Sequence, residues 1–179
     1  MTCWKCHEAA SAAVCVGCGA VQPPPAEADP YAILGLPKRF HVDLALVEER
    51  YKALARQVHP DKFAARPAVE RRMALQWTAA LNEARRVLKD DTRRAWWLAT
   101  GQATPKEKGP KLDPSFLAEV FEWREAEEER PGAFAELAKE RAASLRAELD
   151  AIFTAWEEGR GGLADVEDRL SRLKYVEAS

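Results

Sequence analysis

No stretch of this 179-residue sequence approaches the roughly 18 uninterrupted apolar residues that cross a bilayer. Its opening Met-Thr-Cys-Trp-Lys also lacks the apolar core of a signal peptide. Membrane spanning and export are therefore not expected, and a cytoplasmic location is. Beyond residue 18 there is no cysteine, which confines thiol chemistry to the N-terminus. From residue 29 onward no sustained period-2 alternation occurs, which speaks against a sheet. There is also no glycine-rich phosphate loop, no nucleophile paired with a base and no second carboxylate pair, so nothing supports an enzyme.

What is present is 47% apolar and 31% charged residues, enough for a sizeable core under a densely charged surface. The formal charge of −2 is unevenly spread. Residues 29–102 hold 14 basic and 9 acidic side chains, and residues 103–179 hold 12 and 18. A basic middle and an acidic end suggest separate surfaces for separate partners.

Apolar residues recur at helical spacing from residue 29 on, so the fold is expected to be all-α. Asp43 caps a segment with Leu44, Val47, Tyr51, Leu54, Ala55 and Val58 on one stripe, and Pro60 ends it. A second segment, about 68–88, aligns Met73, Trp77, Ala80, Leu81, Ala84 and Leu88, and a short piece, Thr92–Ala99, carries Trp96 and Trp97. Two long antiparallel helices with small flanking ones are expected to enclose these aromatics. Breakers and lysines make residues 103–112 a linker. Asp113-Pro114 then starts the first of three helices, 114–130, 133–158 and 163–177, separated by Pro131-Gly132 and Gly159–Gly162. Residues 113–179 thus read as a three-helix bundle.

Cys3, Cys6, Cys15 and Cys18 form C-x2-C-x8-C-x2-C, two thiolate pairs on a loop long enough to fold back. Each pair supplies two corners of a tetrahedron, and the favoured reading is one structural zinc per chain. An iron–sulfur or transient metal role and disulfide or redox chemistry are the alternatives. Four protein thiolates leave no open position for substrate, so metal catalysis is not expected, and His7 is read as surface. With one lysine and two acids in residues 1–28, a nucleic-acid-binding ribbon has little support. Residues 1–22 read as a small knob joined by a stiff proline-rich spacer, residues 23–28, to a helical body over residues 29–102.

Between the two long middle helices stands His59-Pro60-Asp61-Lys62-Phe63, preceded by the basic strip Arg50, Lys52 and Arg56 and followed by Leu81-Asn82-Glu83-Ala84-Arg85-Arg86. With Pro30-Tyr31-Ala32-Ile33-Leu34-Gly35-Leu36 upstream, residues 29–100 resemble a J-domain, the DnaJ-type module that stimulates ATP hydrolysis by DnaK-type chaperones. The stretch Arg94-Ala95-Trp96-Trp97-Leu98, together with Asp113-Pro114-Ser115-Phe116-Leu117 running into Glu122-Trp123-Arg124-Glu125, narrows the likeness. It is similar to the HscB family of J-proteins dedicated to iron–sulfur cluster assembly. The two cysteine pairs resemble the zinc-binding extension of that family's eukaryotic members.

The resemblance implies a fold of J-domain hairpin plus C-terminal three-helix bundle, and a co-chaperone that is not itself an enzyme. It implies an HscA-type or DnaK-type partner docking on His59, Pro60, Asp61, Lys62, Arg50, Lys52 and Arg56. It further implies that the bundle binds the scaffold protein IscU through Leu117, Phe121, Glu122, Glu125, Glu129 and Tyr175. Positions 117, 121, 125 and 129 are successive i+4 steps along one stripe. Two alternatives accompany this reading: a general J-protein recruiting other clients, and a core role for Leu117 and Phe121.

Overall fold

The structure, a computed structural model, describes residues 2–10, 12–25, 29–105 and 112–178. Residues 26–28 of the expected spacer and 106–111 of the expected linker lie outside them. The described residues form seven α-helices and one 3-10 turn, and the chain divides into two compact units. The first comprises Met1–Lys38 and Val42–Asp90, the second Arg39–His41 and Asp91–Ser179. Among the described residues no helix is long and apolar enough to cross a membrane.

The first unit opens with two cysteine knuckles closed by isolated bridges, Thr2 with Ala9 and Val14 with Val21. Helix α1, Pro30–Leu34, starts at Asp29, whose carboxylate accepts from the amides of Tyr31 and Ala32, and stops at Gly35 in the left-handed conformation. Helix α2, Leu44–Gln57, is capped by Asp43 as the sequence predicts. The 3-10 turn Pro60–Phe63 follows, then α3, Ala68–Lys89.

Descending pairings fix the two long helices as antiparallel. Glu48 Oε1 accepts from Arg85 Nε at 2.7 Å, and Tyr51 Oη donates to Asn82 Oδ1 at 2.8 Å. Tyr31, Ile33, Leu34, Val47, Val58, Phe63, Trp77, Leu81 and Leu88 are buried in this unit. The expected appendage is therefore not separate: the knuckles belong to one compact body with α1, α2 and α3. Lys5 and Gln22 bond to α3 residues there, contacts that no apolar period announces.

The second unit contains α4, Asp91–Thr100, α5, Pro114–Glu129, α6, Ala133–Glu157, and α7, Val166–Ala178. Asp113 caps α5, accepting from the Ser115 amide at 2.8 Å. Leu163 lies before α7 and is half-buried, so the last helix starts three residues later than the apolar pattern suggests. The core joins Trp96, Phe116, Trp123, Leu145, Phe153, Leu170 and Leu173. Here the expectation that the middle hairpin encloses Trp96 fails. Trp96 is buried among α5, α6 and α7 residues, because helical periodicity states that a side chain is buried and not what buries it. Phe40 stacks on Phe153 with ring centroids 4.0 Å apart, and its carbonyl accepts from buried Arg94 at 2.6 Å.

Candidate functional site

The four cysteines converge. None forms a disulfide, and their sulfurs all lie within 4.8 Å of one another. Cys3 and Cys18 are 3.7 Å apart, as are Cys6 and Cys15. A zinc tetrahedron with bonds of about 2.3 Å has sulfur–sulfur edges of about 3.8 Å, so the donor set fits.

Amides pointing at the sulfurs favour their charged form. The Cys3 thiol is lowered to about 6, chiefly by the backbone amide of Cys6, with that of Lys5 assisting. Cys6 is pushed up to about 12: the Glu8 amide pulls it down, but burial and the three neighbouring sulfurs outweigh that pull. Four thiolates this close repel one another unless a cation holds them. Cys3, Cys6, Cys15 and Cys18 would hold such an ion as a closed structural site.

The knuckles repeat at an offset of 12 residues. Gly19 has φ 68° after the second, and His7, with φ 62°, takes the same left-handed position after the first. Glycine marked one position in the sequence, and nothing marked the other. His7 is exposed and its ring is not among the grouped ligands.

The second cluster is the turn after α2. Pro60 occupies the first position of the 3-10 turn, where its missing N–H costs nothing. His59 caps that turn, its Nδ1 accepting from the Asp61 amide at 3.4 Å. Phe63 is buried and anchors the turn from below. The Asp61 side chain is 90% exposed, and His59 Nδ1 lies 3.6 Å from its carboxylate. Tyr51, Lys52, Ala55, Arg56, His59 and Lys62 line a shallow groove of about 480 Å³ beside it. Arg50, Lys52, Arg56 and Lys62 are exposed. Six of the seven expected residues are exposed and Pro60 is half-buried; Lys52, Arg56, His59 and Lys62 share the groove beside the turn, whereas Arg50 lines a separate one with Pro23 and Gln57.

The hairpin that carries this turn is clasped at its far end by Glu48, Arg85 and Lys89. Glu48 accepts from Arg85 at 2.7 Å and Lys89 at 2.9 Å. Those two cations, Arg85 first, hold the Glu48 carboxyl down at about 2.

On α5 the inward residues are Phe116, Val120 and Trp123, and the helix carries a second apolar pair on its outer side. Leu117 is 36% exposed and Phe121 63% exposed. Glu122, Glu125 and Glu129 are exposed with them. Tyr175 is half-buried on α7, its ring edge-on to Phe116 at 5.9 Å, so it meets the inner face of α5.

A basic helix, a His-Pro-Asp turn and a second long antiparallel helix define a J-domain, and the comparisons agree: residues 29–97 match the DnaJ domain. Residues 112–178 match the HSCB C-terminal oligomerisation domain. The chain is 38% identical to the co-chaperone protein HscB homolog of Bordetella petrii, over 83% of its length and 90% of that relative. It is 37% identical to the Cupriavidus taiwanensis homolog, over 83% and 88%.

The crystal structure of human co-chaperone protein HscB is similar with a TM-score of 0.77 and 26% identity, covering 99% of this chain and 94% of that one. Chaperone HscB from Vibrio cholerae gives 0.61 and 28%, covering 84% and 92%. The chain belongs to the HscB family of J-domain co-chaperones.

Proposed function

We propose that the chain is a non-enzymatic co-chaperone of the bacterial cytoplasm that accelerates ATP hydrolysis by a DnaK/HscA-type chaperone. It presents an IscU-type iron–sulfur scaffold to that chaperone through its C-terminal bundle. The observation that carries the reading is Asp61, a carboxylate fully presented to solvent at the end of a basic helix on a turn locked by Pro60, His59 and Phe63.

The chemistry belongs to the partner, and the chain acts by differential contact. Contacts of Asp61 and the basic groove that are stronger with the hydrolysis-competent chaperone than with its resting form shift the population toward hydrolysis. Arg50, Lys52, Arg56 and Lys62 steer an acidic partner surface onto the turn. The exposed Leu117–Phe121 pair, ringed by Glu122, Glu125 and Glu129, is the surface offered to the scaffold. Tyr175 supports it from within through Phe116. Zinc, held by the four cysteines, contributes folding energy.

Single-turnover ATP hydrolysis by the chaperone, with the chain and with scaffold added, tests this. The account expects acceleration by the chain, further raised by the scaffold, and titratable binding of scaffold to the chain. A chain that accelerates hydrolysis yet binds no scaffold is a general J-protein serving other clients.

A further inference from the structure

Two residues of the N-terminal knuckles, Lys5 and Gln22, each touch the same sulfur and the same helix. Cys3 Sγ accepts from the Lys5 amide at 3.4 Å and from Gln22 Nε2 at 3.3 Å. Each residue then reaches α3 by another group. Lys5 Nζ donates to Glu70 Oε1 at 3.1 Å, and the Gln22 carbonyl accepts from Trp77 Nε1 at 2.7 Å. Glu70 and Trp77 stand two turns apart on one side of α3.

The Gln22 amide has no freedom to do otherwise. Its Oε1 accepts from the Trp4 amide at 3.3 Å, while Nε2 also donates to the Ala20 carbonyl at 2.9 Å. Cys3, Gln22 and Glu70 are all buried. Glu70 Oε2 has no hydrogen-bond partner among the described residues, so the Lys5 ammonium is what makes this interior carboxylate tolerable.

A metal held by the four cysteines fixes Cys3 Sγ in place, and with it the two N–H donors that meet on that sulfur. Without the metal the position of Cys3 Sγ is no longer imposed, and the two arms are no longer held to one point.

We propose that the metal centre is a clasp on the J-domain: its occupancy holds α3 through Lys5 and Gln22, which act as positioning residues for Cys3. Coupling of this kind is reciprocal. Disturbing the α3 partners loosens the metal, just as losing the metal loosens α3. The proposal rests on the zinc reading above, which metal analysis of the purified chain checks separately.

Hydrogen exchange of the full zinc-loaded chain, before and after a strong chelator, is the test. Amides of residues 70–81 lose protection tenfold or more on chelation, while those of α6 do not change. In Lys5→Met/Gln22→Ala, zinc affinity measured against a chromogenic chelator falls about 10–100-fold, and chelation alters exchange of residues 70–81 by less than twofold. Trp77→Phe keeps the ring and removes the indole donor, so zinc affinity falls severalfold from the helix side alone. Exchange changes confined to residues 2–25 in the unsubstituted chain, or zinc affinity within twofold of it in both variants, overturn the proposal.

Discussion

At the scale of single residues, backbone conformation and exposure separate roles that residue type alone leaves mixed. His7 adopts a conformation that costs a residue with a Cβ roughly 1–2 kcal/mol. His7→Gly is therefore expected to stabilise the zinc-loaded chain by up to about 1 kcal/mol and to leave its metal content at one equivalent. Thermal melts and metal analysis check both, and loss of zinc would make the imidazole a ligand.

Leu117 and Phe121 stand exposed beside buried Phe116 on the same helix. Leu117→Ala and Phe121→Ala should each weaken scaffold binding by more than about 1 kcal/mol while changing stability by less than about 0.5 kcal/mol. Phe116→Ala should instead cost roughly 3–5 kcal/mol of folding free energy. Calorimetric titration and melts on these three variants distinguish an interface from a core.

At the scale of elements, two ionic clasps respond to pH in opposite directions. Glu48, held at about 2 by Arg85 and Lys89 against an ordinary value of 4.5, stabilises the α2–α3 hairpin fully above about pH 4.5. That contribution is lost as pH falls toward 2, and Glu48→Gln should flatten the acid limb of the urea midpoint between pH 2 and 5.

His41 is raised above 6.5, first by its hydrogen bond to Asp150 and then by that to Glu157, with burial opposing. The Phe40 ring packs edge-on to it. Its contribution to the second unit is complete below pH 6.5 and fades as pH rises through the raised value. His41→Gln should remove that alkaline slope in urea midpoints measured from pH 6 to 9.

The starts of α2, α5 and α6 were legible because their signals are local: Asp43 and Asp113 cap where a side-chain oxygen meets free amides, and Pro131-Gly132 breaks the chain between α5 and α6. The cysteine spacing announced its own convergence. What buries Trp96, and the polar docking of Lys5 and Gln22 on α3, was not legible, since both depend on partners far away in sequence. Periodicity also hid the double nature of α5, which is apolar on its inner and outer sides.

At the scale of the whole molecule, charge divides between a basic segment, residues 29–102, and an acidic one, residues 103–179. A basic J-domain approaching an acidic partner gains encounter rate from long-range attraction, and salt screens that gain over about 8–10 Å at physiological ionic strength. Stimulation of hydrolysis should accordingly fall as salt rises.

The claim on which the rest depends is that the exposed carboxylate of the His-Pro-Asp turn acts on a chaperone. Asp61→Ala removes that group from a turn held by Pro60, His59 and Phe63, so helicity and scaffold binding should be unchanged. In a single-turnover assay with a DnaK-type partner, the account predicts that this variant no longer accelerates ATP hydrolysis. Acceleration within twofold of that by the unsubstituted chain would contradict it.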